Sequence, residues 1–215
     1  MGNVYVRDAD DFRTADAKNL EDYVEQRRRK LAVIFPGVGY HTDKPLLYYS
    51  KKLASAFGYT IREVRYPKLP SGIKGNKDKM MEAFETASEY VTKQLSDVDF
   101  SLWADVLFIS KSIGTAVAAA YALRHSIPAR QIYYTPVEES FLAIGSEGIA
   151  FHGTADPWAR TEVIEEECRK RGLPLYETAG ANHSLETGNV MKDLENLREI
   201  MRVTEEYIVG NSDEF

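Results

Sequence analysis

Leu31-Ala32-Val33-Ile34-Phe35 is an unbroken apolar run closed by Pro36-Gly37, and a strand with no polar residue has no face to give to water. Such a strand is buried on both sides, the situation in a parallel sheet with helices packed above and below it. Val106 to Ile109, Gln131 to Tyr134, Gly148 to His152 and Leu175 to Thr178 fit the same description. Tyr59 to Tyr66 alternates instead, which predicts a strand nearer an edge. Between the runs lie segments of helical character: Pro45 to Phe57, Lys79 to Leu95, Ile113 to His125, Trp158 to Arg171 and Asn189 to Val209. Strand and helix in alternation predict an α/β fold, a mostly parallel central sheet with helices on both faces. In such sheets functional groups gather in the loops at the carboxyl ends of the strands.

The 215 residues suit one domain, and no Pro/Gly/Ser-rich linker divides them. Residues 1–30 read as a peripheral N-terminal arm and helix. Thirty-three acidic residues against 27 basic ones leave a net charge of −6, which argues against nucleic-acid and acidic-membrane partners and favours small molecules or protein partners. A single cysteine, Cys168, excludes an intrachain disulfide and a thiol-rich metal site. The polar N-terminus offers no apolar stretch of signal-peptide or membrane-spanning length, so a cytoplasmic protein is expected. No G-x-G-x-x-G, P-loop or clustered His/Cys set is present, and no cofactor or metal is expected. Nothing here sets an oligomeric state.

Chemistry enters at Ser110-Lys111-Ser112-Ile113-Gly114, where a strand turns into an alanine-rich helix. A serine hydroxyl becomes a nucleophile only when it is held clear of the backbone, beside a base and near donors for a developing oxyanion. A sharp strand-to-helix turn provides the first condition, and it demands small residues two positions either side. Ser112 has Ser110 and Gly114 there, whereas Ser110 has the large Phe108 at minus two. Ser112 is therefore the candidate nucleophile, with the Ile113 N–H at the positive end of the helix as an oxyanion donor. Taken alone, the motif also fits a serine that merely caps a helix.

Two later loops complete an ordered set. Phe151-His152-Gly153-Thr154-Ala155-Asp156-Pro157 places Asp156 just past an apolar run, and Ala179-Gly180-Ala181-Asn182-His183 places His183 just past the last one. A serine base needs a histidine, and the histidine needs a carboxylate to fix its tautomer. With the order Ser, Asp, His, and with the loops FPGVGY, SKSIG, HGTADP and GANHS between residues 31 and 185, the sequence resembles the α/β-hydrolase superfamily. The resemblance implies a single minimal domain without a cap, with Ser112 as nucleophile, Asp156 as acid and His183 as base. It also implies a second oxyanion donor from the loop after the first central strand, the N–H of Val38. The implied reaction is hydrolysis of an ester or related acyl bond of a small substrate through an acyl-enzyme. Thioesterase, amidase and dienelactone-hydrolase-like activities are the competing substrate classes, although the last usually carries a cysteine where this chain has Ser112.

The match departs from the usual pattern in two places: Ser110 stands where G-x-S-x-G has glycine, and Pro36-Gly37 replaces a His-Gly pair. Glu138 and Glu139 are rival acids, because some hydrolases of this fold carry the acid after the strand equivalent to Gln131 to Tyr134. Gly39, Tyr40, His41 and Lys111 are expected near the substrate, although His41 also reads as a solvated loop residue. The short stretch Thr135 to Glu147 leaves no room for a lid. The basic loop 68–79 follows a strand and either overhangs the site or is simply solvated. Tyr48-Tyr49 and Tyr133-Tyr134 are expected as packing residues at sheet edges. The reading of a different class is a non-catalytic binding protein on the same fold.

Overall fold

The structure, a computed structural model, describes residues 29–210. The arm and helix expected over 1–30 fall outside the described residues except at their end, where Lys30 opens the first strand. The elements run β1 (Lys30–Phe35), α1 (Pro45–Ala56), β2 (Tyr59–Glu63), α2 (Lys77–Gln94), β3 (Asp105–Lys111), α3 (Ile113–Arg124), β4 (Arg130–Tyr134), β5 (Ile149–Gly153), α4 (Thr161–Arg171), β6 (Leu175–Thr178) and α5 (Val190–Val209). Short 3-10 turns lie at Phe100–Leu102 and Glu138–Leu142.

The six strands form one sheet in the order β2-β1-β3-β4-β5-β6, with every pair parallel. Alternate residues of each apolar run serve opposite faces, as a strand's two-residue period requires. Ala32 and Ile34, with Leu107 and Ile109, pack under α1 and α5 against Leu46, Leu47, Ile200 and Val203. Leu31, Val33 and Phe35, with Val106 and Phe108, meet Ala87 and Val91 of α2 and Val117 and Tyr121 of α3 on the other side. Both faces are therefore spent on core, which explains why these strands carry no polar stripe.

Helix limits differ slightly from expectation, for local reasons. Asn76 caps α2, its side chain accepting from the Lys79 N–H at 3.0 Å, so the helix starts earlier than the apolar periodicity suggests. Helix α4 starts at Thr161 and not at Trp158, because Asp156 Oδ1 accepts the Trp158 N–H at 2.8 Å and holds 156–158 as a turn. Tyr59–Glu63 is an edge strand, as its alternation predicts. The tyrosine expectation needs correction: Tyr133 and Tyr134 lie on β4, inside the sheet and fully buried, with the Tyr134 hydroxyl bonded to Ser50 and Thr204. Tyr48 and Tyr49 lie on α1 and are partly exposed.

The chain runs outward from β1 to β2 and then returns past β1 to β3, so the switch in direction falls between β1 and β3. A crevice opens outside the carboxyl ends of the strands at such a point. One contact there is unusually close. A Cβ added to Gly114, in the first turn of α3, would lie 2.4 Å from the Pro36 carbonyl oxygen and 2.7 Å from that of Phe35. Only a residue without a side chain lets α3 begin directly against the end of β1. Gly114→Ala is expected to cost about 1–3 kcal/mol, a fall of several degrees in Tm read by circular dichroism. An unchanged Tm would mean that the backbones can part without penalty.

Candidate active site

Ser112 occupies the corner between β3 and α3 with φ 56° and ψ −127°, a conformation that a residue with a Cβ rarely adopts. Its own N–H is tied to the Tyr134 carbonyl at 3.0 Å, and its carbonyl accepts from Thr115 N at 2.9 Å. The hydroxyl makes no cap bond to the helix. Instead Ser112 Oγ lies 2.8 Å from His183 Nε2, and His183 Nδ1 lies 2.7 Å from Asp156 Oδ2. An ionised carboxylate only accepts, so the ring carries its proton on Nδ1 and presents a lone pair at Nε2 to the serine. The three side chains singled out in the sequence, from three different loops, thus form one hydrogen-bonded line.

Each loop is held by its own device. The Asp156 side chain is fully covered and also accepts the Trp158 N–H at 2.8 Å. The Trp158 ring then stacks on the imidazole, with centroids 5.4 Å apart and planes at 26°. The His183 loop presses on the end of β5, where a Cβ on Gly153 would come within 2.4 Å of the Ala181 carbonyl oxygen. Gly180 N donates to Thr154 Oγ1 at 2.8 Å, and the His183 carbonyl accepts from Thr135 Oγ1 at 3.1 Å. Behind the acid sits a second histidine, His152, with Nδ1 4.0 Å from Asp156 Oδ2 and Nε2 3.0 Å from Thr161 Oγ1.

Electrostatics favour an ionised Asp156 beside a neutral His183. Burial works to raise the Asp156 carboxyl, but the hydrogen bond and charge of His183, with the Trp158 N–H, outweigh it and leave it below its ordinary value. Burial lowers His183, the bond to Asp156 partly offsets this, and the nearby Lys111 charge adds to the lowering. The ring therefore keeps its lone pair to lower pH than a free histidine does.

The loop after β1 lies against this corner. Gly37 N donates to the Tyr40 carbonyl at 3.0 Å and Tyr40 N to the Gly37 carbonyl at 3.3 Å. That tight turn leaves the amides of Val38 and Gly39 at its tip, outside its own hydrogen bonds. A Cβ on Gly37 would lie 3.1 Å from that of Ser112. Ile113 opens α3, where an N–H has no acceptor within the helix.

Not every expected residue is at the surface of the site. Tyr40 is buried, its hydroxyl accepting from Leu46 N at 3.1 Å, and Lys111 is only 1% exposed, so neither side chain is presented to a substrate. His41 is exposed and turned to Asp43. Ser110, standing where glycine is usual, is fully buried and donates to the Ile132 carbonyl at 3.0 Å, away from the His183 ring. Glu138 is taken up by Arg160, which reaches it through its backbone N–H at 3.1 Å and its guanidinium at 3.0 and 3.1 Å. The basic loop does overhang: Ile73 packs with Ile113 and Trp158, and Lys74 lies 5.9 Å from the Trp158 ring. Unexpected from the sequence is an apolar groove of about 520 Å³ beside Ile113, lined by Met80, Met81, Phe84, Val137 and Leu142. Its one early sign was the helical spacing of Met80, Met81 and Phe84.

No family model matches the chain, and no curated protein matches it. Solved structures do. Est1E from Butyrivibrio proteoclasticus, determined with ferulic acid bound, aligns with a TM-score of 0.63 at 12% identity, covering 87% of this chain and 91% of that one. An alpha-beta serine hydrolase homologue from Coxiella burnetii aligns at 0.52 and 14% identity over 82% and 85%. A serine hydrolase without a lid from Xanthomonas campestris aligns at 0.53 and 12% over 86% and 82%.

This chain has the α/β-hydrolase fold. At such identities the likeness speaks for the fold, and the α/β-hydrolase fold hosts many activities. Its form here is minimal: the β4–β5 connection over 135–148 holds only the Glu138–Leu142 turn, so no cap stands there. Among the described residues no helix is long and apolar enough to cross a membrane, and no group of three or more His, Cys, Asp or Glu could hold a metal ion.

Proposed function

We propose that this protein is a lidless serine hydrolase that cleaves an ester or related acyl bond of a small substrate. The observation that carries the reading is the unbroken line Ser112 Oγ, His183, Asp156 at the strand ends. His183 Nε2 takes the Ser112 proton as Oγ attacks the acyl carbon, and the imidazolium formed is stabilised by Asp156. The N–H groups of Val38 and Ile113 donate to the oxyanion. His183 returns the proton to the leaving alcohol, and the acyl group stays on Ser112. Water, deprotonated by His183, then attacks the acyl-enzyme and releases the acid.

The decisive experiment is labelling with a fluorophosphonate probe and locating the adduct by mass spectrometry. An adduct on Ser112 supports the reading. None there, on a folded protein, leaves the alternative of a non-catalytic binding role.

The groove beside Ile113 supports an apolar acyl group. Each methylene it covers is worth up to ~0.8 kcal/mol, so kcat/KM is expected to rise about two- to fourfold per methylene from p-nitrophenyl acetate towards the hexanoate. Met81→Asp, which puts a carboxylate on the groove's exposed wall, is expected to flatten that series while leaving acetate turnover unchanged. A wild-type series with no slope would remove the groove from substrate binding.

A further inference from the structure

Lys111 is the residue before Ser112, and its side chain is among the largest that are fully buried. Its ammonium donates to Thr135 Oγ1 and lies 5.0 Å from the centre of the Tyr40 ring. Among the described residues it has no carboxylate within ion-pair distance. An ammonium has three protons to place, and one hydroxyl with a ring face leaves it poorly compensated for the loss of water.

Its partner is equally unusual. Thr135 follows β4 with φ 44°, an exceptional value for a β-branched residue, and it is completely buried. A hydroxyl has one proton, and Thr135 donates it to the His183 carbonyl at 3.1 Å, so it accepts from Lys111. A directed chain therefore runs from the neighbour of the nucleophile to the backbone of the base, through a residue held in a costly conformation.

We propose that Lys111 is a positioning residue: through the Thr135 hydroxyl it holds the His183 backbone in register with Ser112, and its buried charge governs how readily His183 accepts the serine proton. This rests on the assignment of Ser112, His183 and Asp156 made above.

The charges facing Lys111 fix the sign. Asp156, from the loop after β5, favours the ammonium, while Lys44, ahead of α1 and 5.2 Å from the centre of the same Tyr40 ring, opposes it, and the Glu186 charge acts on the Tyr40 hydroxyl. Burial outweighs them and pushes Lys111 down to about 7. Below that pH its cation disfavours an imidazolium at His183, which leaves the histidine free but weakly basic. Above it Lys111 is neutral, and the imidazolium that forms during attack no longer faces a like charge. The rate should therefore rise twice, once as His183 loses its proton and again as Lys111 does.

The test is kcat/KM for an activated ester from about pH 5 to 9. The wild type is expected to show both steps, the upper one near pH 7 and roughly threefold or more in size. Lys111→Met should give a single step whose midpoint lies above the wild type's lower one, because the depressing cation is gone. Thr135→Ser should keep both steps, while Thr135→Val should lower kcat by about tenfold or more with little change in KM. A one-step wild-type profile overturns the electrostatic role whether or not the variants fold, as does an upper step that survives Lys111→Met. A Thr135→Val enzyme with wild-type kcat overturns the positioning role. These outcomes are separable from failure of the catalytic assignment itself, which the absence of a fluorophosphonate adduct on wild-type Ser112 would show.

Discussion

Ser112→Ala is expected to lose roughly four to six orders of magnitude in kcat towards an activated ester, with KM changed by no more than a few fold. On the proposed mechanism the loss is large because the oxygen that would form the acyl-enzyme is gone, and the line through His183 and Asp156 has nothing left to activate. On the proposed assignment, what remains would come from the oxyanion donors, the amides of Val38 and Ile113, and from binding alone. The substitution is also structurally mild. Ser112 already carries a Cβ at φ 56°, so alanine adds no strain, and its hydroxyl caps nothing in α3. Steady-state kinetics beside a thermal melt make the measurement. A kcat within tenfold of wild type at an unchanged Tm would reject Ser112 as nucleophile, and Ser110 could not easily replace it with its hydroxyl committed to the Ile132 carbonyl.

Asp156→Asn is expected to cost about four orders of magnitude in kcat, although the replacement is nearly isosteric. An asparagine can keep the bond from the Trp158 N–H through its carbonyl oxygen, so the turn survives. Its NH2 then faces His183 Nδ1 and asks for an acceptor. The ring responds by moving its proton to Nε2, where it points at Ser112 and can no longer receive a proton from it. Glu138→Gln, measured in parallel, should stay within about threefold of wild type, because that carboxylate serves Arg160. If the two results were exchanged, the acid would belong after β4.

Much of this arrangement could be read in the chain because it depends on short-range rules. Runs such as Leu31 to Phe35 have a single home in a doubly covered sheet, and a corner needing small residues two positions either side picks out Ser112. Asp156 and His183 followed from their places after strands. The contributions of Thr135 and Lys111 were hidden, since nothing in Tyr-Thr-Pro announces a positive φ, and the direction of a lysine side chain at a strand end depends on what the neighbouring loops leave open. Tyr133 and Tyr134 were misplaced for a related reason: aromatic pairs fit a pleated surface anywhere, and only the final strand order puts β4 inside the sheet. The reach of the basic loop was likewise undecidable until Ile73 was seen against Ile113 and Trp158.

The position of β6 at the outer edge of the sheet divides the site into two parts of unequal durability. Ser112 and the turn at Val38 hang on β3 and β1, each flanked by strands on both sides, whereas His183 hangs on a four-residue strand with a neighbour on one side only. Edges open more readily than centres. On the proposed assignment, a local opening at β6 would withdraw the base while leaving the nucleophile in place, and the ties from Thr135 and Thr154 to the His183 loop are what oppose it.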